Sequence, residues 1–198
     1  MKKALTLFAF FFFLAINSVI ADDCSGDKCV GDTVIDAGNN IGKIVKIEKD
    51  QVTFRTDSGD EFTYPEPQLA KSTTKNNGIS RGVLVIDELN NIGEVEHIFE
   101  DGRTVYKTQD GYTQLKRSVS PRVSELNGVV EKESVIDSNN NIGVVKMIFA
   151  DGRVQFETQN QQVYIKKLVS PEVQELGGTV VKGNVIDDLG NVGKAQKI

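Results

Sequence analysis

The sequence predicts an all-β chain of tandem small barrels, each with four to five short strands and one short helical turn in about 50 residues. Three observations predict it. One stretch is written four times: Val34-Ile35-Asp36 ahead of Asn40-Ile41-Gly42, Val85-Ile86-Asp87 ahead of Asn91-Ile92-Gly93, Val135-Ile136-Asp137 ahead of Asn141-Ile142-Gly143, and Val185-Ile186-Asp187 ahead of Asn191-Val192-Gly193. The four aspartates fall 51, 50 and 50 residues apart, the mark of one unit repeated. Between copies the apolar residues alternate, as in Val154, Phe156 and Thr158 or Val52, Phe54 and Thr56, which is the period of a half-buried strand. Finally, Ile44, Val95 and Val145 lie two residues after the repeated glycine, and Ile47, Ile98 and Ile148 lie five after it. Those positions have opposite parity, so both can face a core only if the strand bulges or twists sharply, as the strands of a small barrel do.

The third copy shows the elements in order. Residues 134–137 are β-branched and predict a first strand; the polar cluster 138–141 predicts a turn, with Gly143 at a left-handed or crowded position. Residues 144–149 predict a second strand, Asp151-Gly152 a hairpin, and 154–158 a third strand. Asn160-Gln161 predicts a further turn, matching Asp110-Gly111 and Ser58-Gly59, and 163–169 a fourth strand. Ser170-Pro171 and Ser120-Pro121 then read as a helix N-cap followed by proline at the first helical position, with Val173 and Leu176 on one face. The first copy has Pro65-Glu66-Pro67-Gln68 instead, and a looser loop is expected through 71–77.

Lys2 and Lys3, the apolar run 5–14 and the small residues at Val19 and Ala21 predict a secretory signal peptide over 1–21. Its apolar core is shorter than the roughly 20 residues of a membrane span, so no membrane insertion is expected after cleavage. Removing it leaves 21 basic and 28 acidic residues, a net charge of −7. That charge disfavours nucleic acid and anionic lipid as partners. Because Ile198 shares a column with Ile47, Ile98 and Ile148, units framed from the Asp-Gly hairpin fall at 49–98, 99–148 and 149–198, with a half unit at 22–48. Such a half unit would expose strand edges, so self-association is an expectation.

Cys24 and Cys29 are the only cysteines, and in an exported chain a disulfide is the leading reading. The alternatives are a metal site, which wants four ligands, and a redox pair, which is usually Cys-x-x-Cys. The only histidine, His97, shares a column with Lys46, Met147 and Lys197, which suits a half-exposed surface position. No nucleophile–base pair is suggested, so the chain is not expected to be an enzyme or to carry a cofactor. The recurring Asp36 and Asn40, Asp87 and Asn91, and Asp137 and Asn141 admit two readings: oxygen ligands for calcium, or turns capped by their own side chains, which having only one or two carboxylates per copy favours. Arg103, Arg153, Tyr112 and Tyr164 are the candidate ligand contacts, as exposed groups at turns.

The order Gly31-Asp32-x-Val34, then Gly42-x-Ile44, then Asp101-Gly102-Arg103 and an alternating strand resembles SH3-like barrels of the Tudor and KOW type, once per unit over most of the mature chain. The resemblance implies binding modules for peptides, nucleic acid or modified side chains. The absence of tryptophan argues against an aromatic cage, and the acidic charge against RNA. For an exported repeat protein the implied partner is a cell-wall polymer or an envelope protein, met in the periplasm or after secretion. The alternative is a structural protein that assembles through its strand edges. A kelch-like propeller blade has a similar length, but the chain has fewer units than a propeller needs.

Overall fold

A computed structural model describes residues 23–173, 175–176, 179–180, 184–186 and 189–194. The expected signal peptide, Asp187 and the column position Ile198 lie outside the described residues. The chain is all-β and divides into two compact units, one ending at Leu69 and one beginning at Ala70.

In the first unit, Thr33–Ile35, Ile41–Glu48, Gln51–Thr56 and Glu61–Pro65 form an antiparallel meander. Val34, Ile44, Ile47, Val52, Phe54 and Leu69 make its core, with Phe62 and Tyr64 packed against it. Cys24 and Cys29 are joined as a disulfide across a small hairpin in which they are ladder partners. Lys28, next to the bridge, is buried and paired with Glu66 at 2.6 Å, which ties the hairpin to the end of the meander.

The second unit repeats a five-strand pattern. Leu84–Asp87 pairs with Ile92–Phe99, which pairs with Thr104–Thr108, which pairs with Thr113–Lys116. A fifth strand, Val119–Val123, returns to the open side of the first. Ser134–Asp137, Ile142–Phe149, Val154–Thr158, Val163–Lys166 and Val169–Pro171 repeat the same order. In both of these repeats the ladders join the Val-Ile-Asp hairpin to the strands that follow it. Val85, Val95, Ile98 and Tyr106 form one core and Val135, Val145, Ile148 and Phe156 the next, position for position. Asn184–Ile186 and Val192–Lys194 form a further copy of the first hairpin.

The parity conflict in the second strand is resolved by a bulge in every complete copy, between Ile44 and Lys46, Val95 and His97, and Val145 and Met147. One extra residue on the long strand brings both apolar positions inward. The repeated glycine is explained by crowding. A Cβ on Gly93 would lie 2.5 Å from the Lys107 carbonyl oxygen and 2.6 Å from the Tyr106 ring, and Gly42 and Gly143 are equally confined by Phe54 and Phe156.

Two expectations are corrected. The Ser-Pro segments are not helical: Ser120 and Pro121 lie in the fifth strand, and Val169–Pro171 likewise. Pro121 faces Val85 in the ladder, and lacking an N–H it can stand only at a non-hydrogen-bonded pair. Among the described residues the one helical turn is Glu66–Gln68, a 3-10 turn in the copy without the Ser-Pro cap. Nor is 71–77 a loose loop. It holds the strand Ala70–Thr73 and the start of a hairpin closed by Asn77-Gly78, both at positive φ, a turn repeated at Asn127-Gly128. Closure into barrels is not formed by the ladders, and the sheets are open. The fifth strand spends its first residues on its own repeat, and Arg122 and Val123 on Phe149 and Ile148 of the next, so among the described residues the fourth strand pairs only with the third.

The crowding around Gly93 predicts that Gly93→Ala lowers stability by about 1–3 kcal/mol or more. Gly193→Ala, where nothing lies within 4 Å, leaves the melting temperature almost unchanged. Circular dichroism melts of the two variants read the contrast directly.

Candidate functional site

The first three Val-Ile-Asp strands end in a three-residue loop whose geometry recurs. Asp87 N–H donates to the Asn91 carbonyl, Asn90 N–H donates to the Asp87 carbonyl, and Asn90 takes a left-handed φ of 67°. Asn39 and Asn140 do the same at 68° and 63°. This is the three-residue hairpin loop that ends in a left-handed residue, a conformation asparagine tolerates. The second asparagine serves the aspartate. Asn91 donates its backbone N–H to Asp87 Oδ1 at 2.9 Å and its side-chain amide to Oδ2 at 3.0 Å. Asn40 and Asn141 bond Asp36 and Asp137 in the same way. Of the two readings of these residues, the geometry shown is turn chemistry, with the carboxylate oxygens filled by N–H and O–H donors.

Asp87 is fully buried and adds the Tyr106 hydroxyl, which donates to Oδ2 at 2.8 Å, and Lys116 Nζ at 3.5 Å. Burial pushes its carboxyl up, but the bonds from Asn91, Tyr106 and Leu89 outweigh this and hold it down to about 2. Burial and the Asp87 charge push the Tyr106 hydroxyl up in turn. Tyr64 and Lys166 occupy the column of Lys116. Tyr64 is raised by its bond to Asp36, and Lys166 adds its charge to the bonds from Asn141 that lower Asp137.

The four expected ligand contacts are not brought together. Tyr112 is 70 % exposed. Tyr164 is half-buried, stacked on Phe156 with its hydroxyl donating to Gln162. The two arginines are not solvated turn groups: Arg103 is 6 % exposed and paired with Asp101, and Arg153 is turned inward. Its guanidinium donates to the Asp87 carbonyl, to Asn90 Oδ1 at 2.9 Å and to the Ile86 carbonyl at 3.5 Å. The Asp-Gly-Arg hairpin of one repeat therefore clamps the Asp-Asn turn of the repeat before it. His97 is half-buried, with Nδ1 3.3 Å from Arg81.

The surface feature that does recur is an open groove along the second and third strands. Gly93, Glu94, Glu96, Lys107, Thr108 and Gln109 line it in one repeat, around about 460 Å3. Gly143, Val144, Lys146, Glu157, Thr158 and Gln159 line its counterpart, around about 560 Å3. Lys146 and Glu157 pair across it at 2.8 Å. The groove offers amides, hydroxyls and charges of both signs, a set suited to hydrogen-bonding a polar chain. Its sequence signal was the recurrence of Thr108-Gln109 as Thr158-Gln159, which lies in turn-flanking positions that carry no motif by themselves.

The chain matches no known protein family, no curated protein and no solved structure. Among the described residues no helix is long and apolar enough to cross a membrane.

The buried aspartate gives a signed pH dependence. A carboxyl lowered in the fold contributes stability that is complete above the ordinary value near 4 and lost as the pH falls toward about 2. For Asp87 this is on the order of 2 kcal/mol. Chemical denaturation between pH 5 and 2 should show this loss, and Asp87→Asn should lower stability at pH 7 while flattening the acid slope.

Proposed function

We propose that this is a non-enzymatic, exported repeat protein whose units are SH3-like modules that bind a cell-wall polymer or an envelope protein. The observation that carries the reading is the groove repeated one unit apart with Gln109 and Gln159 in equivalent places. Two copies of one weak site, held at fixed spacing, favour a partner that is itself repetitive, because the second contact is made at high effective concentration. Glycan strands and filamentous proteins have that property. The strand order and the bulged second strand support an SH3-like module, and the Cys24–Cys29 disulfide supports an oxidising compartment such as the periplasm or the exterior.

A second reading, lateral self-assembly, is favoured by the outer edges of Thr113–Lys116 and Val163–Lys166, which carry no further ladder among the described residues.

Co-sedimentation with purified wall material tests the first reading. The protein should pellet with the polymer, and the double variant Gln109→Ala, Gln159→Ala should reduce the bound fraction at least tenfold at subsaturating polymer, with an unchanged melting temperature. Protein that stays in the supernatant, or a double variant that pellets undiminished, contradicts a groove-mediated interaction. Sedimentation velocity at rising concentration reads the second.

A further inference from the structure

The hairpin before each fourth strand fixes which of its backbone groups face outward. Thr158 N–H donates to the Gln162 carbonyl, so it points at the fourth strand. In an antiparallel ladder the N–H and C=O of one residue point the same way, and those of the next residue the opposite way. Phe156 and Val154 therefore also point at Val163–Lys166, and their partners Tyr164 and Lys166 point back. Val163 and Ile165 are left facing outward, and among the described residues no hydrogen bond reaches their N–H groups. In the second repeat Thr108 N–H donates to the Tyr112 carbonyl, which by the same alternation leaves Thr113 and Leu115 facing outward. All five strands of the third repeat follow that edge in the chain, and it is open nonetheless, so the open edge belongs to the repeat itself.

The copies differ in how well this edge is guarded. In the first unit Thr56 N–H donates to the Asp60 carbonyl, which places Glu61, Thr63 and Pro65 outward. A carboxylate and a residue without an N–H blunt an edge against further pairing. The rows behind it, on the face away from the core, are polar: Lys43, Arg55 and Glu61, then Lys46, Thr53 and Thr63. In the third repeat the matching rows are Val144, Glu157 and Val163, then Met147, Gln155 and Ile165. Val144 is 42 % exposed and Val163 55 %. Its outward positions thus carry β-branched apolar side chains, and both keep their N–H.

We propose, resting on the reading of lateral self-assembly, that Val163–Lys166 docks the same strand of a second copy of this chain, antiparallel about a two-fold axis at Tyr164. Val163 of one copy then faces Ile165 of the other. Every outward N–H and C=O of these two residues finds a partner, and within the strand no other antiparallel register achieves this. Tyr164 faces its own counterpart at the close, non-hydrogen-bonded spacing. The tyrosine rings, each stacked on Phe156 of its own copy, meet on the inner face. Val163 and Ile165 of both copies cluster on the outer face and lengthen the apolar rows of Val144 and Met147. Lys166 stands opposite Gln162, so no like charges are opposed across the ladder. An edge that complements itself about a two-fold axis selects a second copy as its occupant.

The test combines cross-linking with sedimentation velocity on the purified chain, with Cys24 and Cys29 bridged. Tyr164→Cys should form a disulfide between copies under mild oxidation, because a facing non-bonded pair has the spacing a disulfide needs. Gln155→Cys, one strand in from the edge, should form none. The parent chain should show a concentration-dependent dimer. Ile165→Pro should weaken it at least tenfold with little change in melting temperature, because the N–H it removes faces outward. Val163→Lys, which keeps the N–H and sets a charge on the outer row, should weaken it several-fold and serves where the proline variant fails to fold. Self-association untouched by both variants, with no cross-link at Tyr164→Cys, overturns this strand and register while leaving self-assembly through another surface. A parent chain that stays monomeric to millimolar concentration overturns both. Wall binding is read separately, by Gln109 and Gln159.

Discussion

A buried carboxylate at the end of the first three Val-Ile-Asp strands, Asp36, Asp87 and Asp137, is the constraint on which the rest of the structure depends. An ionised group out of water is costly unless its oxygens are filled. Asp87 meets that demand with Asn91, Leu89, Tyr106 and Lys116. Doing so fixes the loop, the register of the first two strands and the place of the third strand, from which Tyr106 reaches in. It also leaves the backbone carbonyl of Asp87 and the side chain of Asn90 facing outward, and Arg153 of the following repeat takes them. At Asp87 one residue thus links turn, sheet and repeat contact.

The packing around that carboxylate sets what each repeat can offer. The bulge turns two apolar positions of the long strand inward, and the glycine before it lets the third strand lie close. The sheet stays open, with the fifth strand shared between its own first strand and the second strand of the next repeat. Sharing a strand couples neighbours, fixes the spacing of their grooves and leaves the outer edge of the fourth strand without a ladder. A repetitive partner could use both the fixed spacing and the grooves.

Much of this was legible in the sequence where the signal was periodic. The all-β class, the hairpins at Asp101-Gly102 and Asp151-Gly152, and the bulge followed from alternation and from the parity of Ile44 against Ile47. The Ser-Pro segments misled because their local signal, a cap followed by proline, is satisfied equally by a strand that places Pro121 at a non-bonded ladder position; the partner strand decides, and it is distant in sequence. Asn77-Gly78 and Asn127-Gly128 carried a hairpin signal that the looser-loop reading obscured in the first copy and the helical reading in the second. Arg153 looked like a solvated turn residue because its acceptors, Asp87 and Asn90, lie more than sixty residues earlier. The groove was hidden for the same reason: its two strands contribute polar residues that form a surface only when paired.

The central claim is that the arginine hairpin clamped on the Asp-Asn turn makes successive repeats fold as one body. Residue-resolved hydrogen exchange of Arg153→Ala against the parent chain tests it most directly. The account predicts that in the parent, amides of 84–123 and 134–171 share one slow opening. In the variant, the 134–171 strands should open at least tenfold more often than 92–108. Equal protection of both sets in the variant, at the parent level, would contradict it.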